Sequence, residues 1–217
     1  MYKLLARSNI KNLCNHTRYA YLTPKLLQTI PKFNFTMTKN EEHYDIRITQ
    51  TKDIEELKKD ASKLEGSGIH LTLNPKLTKE RFTELFDVLS KTNQEELHLD
   101  ISDVSVQDDK VEAIKKCLSK WNLKHIELHL SNMSFTDTQF KEMLSPLKDM
   151  KNLYFLHLEL DNINLNRKKR EIIDEIVNNI QSLRNVYINI RKTQKGDEDV
   201  EVFSRLLDKI PFRRLLL

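Results

Sequence analysis

An apolar phrase recurs along this chain at a nearly constant interval, and that repeat restricts the fold more than anything else in the sequence. The stretch LKHIELHL carries Leu123, Ile126, Leu128 and Leu130; Leu153, Leu156, Leu158 and Leu160 fall in the same columns, as do Leu183, Val186, Ile188 and Ile190. Upstream, Leu97, Leu99, Ile101 and then Ile69, Leu71, Leu73 fill the last three columns, while Phe212, Leu215 and Leu217 read as the closing member. The second column, residues 69, 97, 126, 156, 186 and 215, advances by 28 to 30 residues at each step. A period this steady marks a stacked-repeat protein, in which no unit can bury its apolar faces alone.

Each unit contains two patterns. Alternating apolar residues, as on a half-buried strand, are followed by apolar residues at helical spacing. The helical triads are Phe82, Leu85, Leu89; Val111, Ile114, Leu118; Phe140, Met143, Leu147; Ile173 and Val177 with Arg170 in first place; and Val200, Phe203, Leu207. Thr78, Thr136 and Asn166 stand where an N-cap is needed. A shorter first unit has Tyr44, Ile46 and Ile48 as its strand, Asp53 as N-cap, Ile54, Leu57, Ala61 and Leu64 as its helix face, and Gly66 as its stop. Strands that recur after a helix run parallel, with right-handed crossovers. The expected fold is therefore α/β: a short solenoid of about six right-handed βα units over residues 43–217, with a parallel sheet on the concave face and helices on the convex face.

Charge divides the chain differently. Residues 1–40 hold seven Lys or Arg and no Asp or Glu, whereas the remainder has 29 basic against 32 acidic residues. Acid-free, with cations among Leu4, Leu5, Ile10 and Leu13, the segment 1–42 reads as a basic, transit-peptide-like arm that predicts a mitochondrial location, in the matrix or on the matrix side of the inner membrane. The alternative is a disordered basic tail for nucleic acid or an acidic partner. The two cysteines, Cys14 and Cys117, cannot build a disulfide framework, and three glycines leave no phosphate-cradling loop. No catalytic motif appears, and no apolar run approaches the roughly 18 residues of a membrane span. Neither an enzyme activity nor a cofactor is expected.

The LxxLxL spacing of Leu123, Ile126, Leu128 and of Leu153, Leu156, Leu158, in a helix-containing unit of 28 to 30 residues, resembles the leucine-rich repeats, in particular their ribonuclease-inhibitor-like subclass. The asparagine of that pattern, three residues after the third leucine, is here Asn74, Ser102, Ser131, Asp161 and Arg191, which predicts looser turns and no continuous asparagine ladder. With its basic arm, the chain is also similar in architecture to the small mitochondrial leucine-rich-repeat proteins related to coupling factor B of ATP synthase and to assembly factors of complex I. This likeness implies a non-enzymatic scaffold, an accessory or assembly subunit of a large inner-membrane complex. Its partners would be protein subunits of that complex, with any peripheral membrane association arising through them.

Residues between the buried columns point out of the concave face. One row reads His70, His98, Glu127, His157, Tyr187, and the next Thr72, Asp100, His129, Glu159, Asn189, with His125 on the same strand as Glu127. This checkerboard is the expected partner-binding surface: His70, His98, Asp100, His125, Glu127, His129, His157, Glu159 and Tyr187. Imidazole with carboxylate also suits zinc, but the spacing is no recognised ligand motif and an open sheet is not expected to converge four ligands, so no metal is assigned. A catalytic acid–base role for these histidines is weaker still, because nothing in the sequence supplies a pocket. A second candidate contact is the C-terminal strand edge, with Arg213, Arg214 and Leu216, which would lack the usual polar cap; the alternative is that so short an edge, guarded by two arginines, needs no cover. The run Arg167, Lys168, Lys169, Arg170 opens a helix, where cations oppose the helix dipole, and reads as a solvated charge run. Together with the arm it supports the alternative function, a mitochondrial ribosome component touching RNA phosphates.

Overall fold

A computed structural model describes residues 36–39, 43–48, 51–64, 68–190 and 212–216. Strand β1 (Thr36–Lys39) runs antiparallel to β2 (His43–Ile48). Helix α1 (Thr51–Asp60) continues into a 3-10 turn, Ala61–Leu64. Then β3 (Gly68–Leu73), α2 (Lys79–Leu89), β4 (Glu96–Asp100), α3 (Asp108–Leu118), β5 (His125–His129), α4 (Asp137–Leu144), β6 (Phe155–Glu159), α5 (Arg167–Asn179), β7 (Asn185–Asn189) and β8 (Phe212–Leu216) follow. All eight strands form one sheet in sequence order, and β2 to β8 are parallel. The α/β solenoid read from the repeat is the fold observed.

The columns explain the core. In β4, β5 and β6, buried residues alternate with half-buried ones: Leu97 and Leu99, Ile126 and Leu128, Leu156 and Leu158 lie inward. They meet the helical triads Phe82, Leu85, Leu89; Val111, Ile114, Leu118; and Phe140, Met143, Leu147, all buried in one continuous apolar cluster. At roughly 1.5–3 kcal/mol per buried side chain this stacking drives folding. Cys117 and Met133 lie in the same cluster, and Trp121 is buried with its indole Nε1 donating to the Thr92 carbonyl at 2.8 Å. The caps form as expected: Thr136 accepts from Gln139 N at 3.1 Å while Gln139 Oε1 accepts from Thr136 N at 3.0 Å, a reciprocal capping box. Thr78 and Asn166 accept from Arg81 N and Lys169 N.

Four readings change. The turns after the strands are regular, not loose: Asp103, Asn132 and Asn162 all adopt positive φ (64°, 61° and 57°), a conformation that Asn and Asp tolerate better than other side-chain-bearing residues. Around them the backbone ladder continues beyond the strands, with Asp103 N donating to the Ser131 carbonyl and Asn132 N to that of Asp161, each at 3.0 Å. Each turn then buries a further apolar residue, Val104, Met133 or Ile163. Secondly, α1 begins at Thr51, so Asp53 is a buried first-turn residue and not the N-cap. Thirdly, β8 is shifted by two residues from the sequence alignment: Leu215 pairs with Ile188 and Arg213 with Val186. Fourthly, the run Arg167–Arg170 is only partly solvated. Lys169 is buried with Nζ 3.1 Å from Asp137 Oδ1, and Arg170 Nη1 donates to the Leu165 carbonyl at 2.9 Å.

Strand β1 falls within the segment read as the arm and belongs to the sheet, whose compact unit begins at Asn34. The rest of the arm, Gly66, the triad Val200, Phe203, Leu207 and the side chains of Arg213, Arg214 and Leu216 lie outside the described residues.

Candidate functional site

The face of the sheet opposite the helices, expected to be concave, is built by strand register. Asp45, His70, His98, Glu127, His157 and Tyr187 stand side by side on β2 to β7, followed by Arg214 on β8. A second row holds Arg47, Thr72, Asp100, His129, Glu159 and Asn189, then Leu216. Alternation along each strand makes this face unavoidable: once the leucines are inward, the residues between them have nowhere else to point.

Glu127 is the hub. His125 Nε2 lies 3.0 Å from its Oε1, while His98 Nδ1 and His157 Nδ1 lie 3.2 and 3.5 Å from its Oε2. His129 Nε2 stands 3.9 Å from the same Oε2. Although this is the outer face of a sheet, the Glu127 side chain is only 17% exposed and that of His98 15%. Burial alone would raise the Glu127 pKa, but the imidazoles of His125, His129, His157 and His98 outweigh it and hold the carboxyl far below its usual range. For His157, burial works against the charged ring and is overcome by Glu127 and Glu159, so its pKa is pushed up to about 9. Burial also opposes ionisation of Glu159, yet His157 and Asn189 hold its pKa below the usual value. Asn189 Nδ2 donates to Glu159 Oε1 at 2.6 Å.

The structure thus brings together His98, His125, Glu127, His129, His157 and Glu159, more tightly than an open sheet was expected to allow. His70 belongs to a neighbouring pair, with its Nδ1 3.1 Å from Asp45 Oδ1 and its ring centroid 5.2 Å from that of His98. Asp100 closes its own turn by accepting from Ser102 N at 3.0 Å. Tyr187 packs its ring on Phe155 and His157, with centroids 5.3 and 6.1 Å apart.

Sequence reasoning missed Asp45, Glu96 and Phe155. Glu96, His125 and Phe155 form a third row, in which the Phe155 ring lies 4.0 Å from that of His125. Continuing the alternation one step toward the start of each strand would have found Glu96 and Phe155, and carrying the first row onto β2 would have found Asp45. Cys117 is no candidate nucleophile, since burial pushes its thiol pKa well up.

Comparison with protein-family models finds no match, and neither does comparison with curated proteins. Among solved structures, the chain is similar to the tropomodulin C-terminal domain of Caenorhabditis elegans, with 14% identity and a TM-score of 0.51, covering 74% of this chain and 93% of that one. At this identity the likeness speaks for architecture alone, a leucine-rich-repeat-type α/β solenoid with a parallel sheet.

Proposed function

We propose that this protein is a non-enzymatic scaffold, an accessory or assembly subunit of a large mitochondrial inner-membrane complex of the ATP synthase or respiratory-chain kind, which docks a protein partner on the open face of the sheet. The observation that carries the docking reading is the face itself. Three rows of half-buried imidazole, carboxylate and aromatic side chains run across successive strands, and Phe155 and Tyr187 offer ring surface beside a charge-compensated centre. Repeat solenoids characteristically bind through such an extended face, and aromatic rings beside polar groups are typical anchors. Among the described residues no helix is long and apolar enough to cross a membrane, so attachment to an inner-membrane complex would run through protein contacts. The mitochondrial part of the reading is supported by the acid-free basic N-terminal segment.

The RNA-binding alternative draws less support, because two of the four cations from Arg167 to Arg170 are engaged inside the protein. The test is size-resolved fractionation of mitochondria from cells making the tagged full-length chain. Comigration with a respiratory or ATP synthase assembly is the expected result. Comigration with ribosomal subunits that is lost at raised salt would favour RNA contact, and a small free species would overturn both.

A further inference from the structure

We propose that His98, Glu127 and His129, with His157 completing the set, bind one zinc-class divalent transition-metal ion on the open face of the sheet. Each residue offers a ligand atom at the right separation. A tetrahedral ion with bonds of about 2.0–2.2 Å to nitrogen and oxygen holds neighbouring ligand atoms roughly 3.3–3.6 Å apart. Glu127 Oε2 stands 3.2 Å from His98 Nδ1, 3.5 Å from His157 Nδ1 and 3.9 Å from His129 Nε2. Ligand atoms of His98, Glu127 and His129 all lie within 4.8 Å of one another. The three separations from Glu127 Oε2 bracket the tetrahedral edge, so the carboxylate oxygen already stands at ligand spacing from each ring and seating the ion draws the imidazoles toward one another.

A second observation concerns burial. His129 Nε2 is shielded from solvent and makes no hydrogen bond, since 3.9 Å to Glu127 is too long for one. A buried ring nitrogen in that state calls for a partner, and a cation between it and Oε2 supplies one.

The surroundings match those of metal ligands. His125 Nε2 holds Glu127 Oε1 at 3.0 Å and leaves Oε2 facing the other rings. Glu159 Oε2 lies 3.6 Å from His157 Nε2, the ring nitrogen opposite the one aimed at the ion, at ion-pair distance on the side from which carboxylates orient imidazole ligands. The ligands come from β4, β5 and β6, whose backbone register fixes their spacing. Three imidazoles and one carboxylate favour zinc and its neighbours over calcium or magnesium, which prefer all-oxygen sites. The site requires neither a partner protein nor a mitochondrial location.

The test uses the full chain, stripped with a chelator and dialysed, then titrated calorimetrically with Zn²⁺ and, as a spectroscopic probe, with Co²⁺. One Zn²⁺ per chain at micromolar affinity or tighter is expected, together with the intense visible absorption of four-coordinate cobalt. The double variant His98→Ala/His129→Ala should lose the site while keeping its circular dichroism. Glu159→Gln, which reaches the site only through the outer side of His157 and also alters the Asn189 contact, should weaken binding about 10- to 100-fold. Failure of the wild-type chain to bind stoichiometric Zn²⁺, or equal binding by the folded double variant, overturns the proposal.

Discussion

The helix side and the open face of this solenoid both pair basic with acidic side chains across neighbouring units, but in different ways. On the helix side Lys58 meets Glu84, Lys79 meets Asp109, Lys116 meets Asp87, Lys115 meets Glu142 and Lys148 meets Glu175, each pair linking one unit to the next. These are flexible side chains near water; Lys116 and Asp87 are 53% and 52% exposed. On the open face the partners are imidazoles on short stems, and four of them gather around one carboxylate that is mostly out of solvent. Exposed pairs gain little, because water screens them and holding two long side chains costs entropy. A half-buried carboxylate has a real desolvation cost, offset only while its partners stay in place. One side therefore tolerates change, and the other is arranged around a single residue.

Mutations can break or sharpen this contrast, with stability followed by urea denaturation. The largest loss is expected beneath both faces. Leu128→Ala empties a core position that is 1% exposed, and should cost about 2–5 kcal/mol. Glu127→Gln keeps the shape but removes the charge that the imidazoles share, and should cost about 1–3 kcal/mol in metal-free protein. No loss there would place the open face in the same class as the helix side. Thr136→Ala removes half of a reciprocal capping box and should cost about 1 kcal/mol, mostly lost from α4. The smallest effect belongs to the helix-side pairs: Lys115→Met and Lys148→Met should each change stability by less than about 1 kcal/mol. A larger effect from either would show that the inter-unit bridges stabilise the stack.

The repeat made the architecture legible because period-2 and helical patterns survive in the identity of the buried residues: Ile126, Leu128, Phe140 and Met143 are each where the columns put them. The turns were not legible, because the asparagine pattern looks one position too early for the residues that matter here. Asp103, Asn132 and Asn162 supply the positive φ, and backbone bonds continue the ladder beside one side-chain rung, from Asn162 Nδ2 to Asn132 Oδ1 at 3.0 Å. At β8 a shift of two residues leaves the period-2 alternation unchanged, so period alone does not choose the register, and the structure pairs Leu215 with Ile188. For the site, the strands revealed which residues share the face, whereas convergence on Glu127 depends on side-chain rotamers that no spacing encodes. Lys169 and Arg170 were misread for a related reason. Their charges looked solvated until Asp137 and the Leu165 carbonyl, contributed from outside the run, came within reach.

The most direct test of the central claim, that the open face is the docking surface, sets one face against the other in the same fractionation. Phe155→Ala/Tyr187→Ala alters the open face while keeping the three histidines and the carboxylate of the inferred metal site, and Lys115→Met/Lys148→Met alters the helix side. The account predicts that the first variant leaves the large mitochondrial assembly and runs as a small folded species, while the second comigrates like the unaltered chain. The opposite outcome, with the open-face variant retained and the helix-side variant lost, would contradict it.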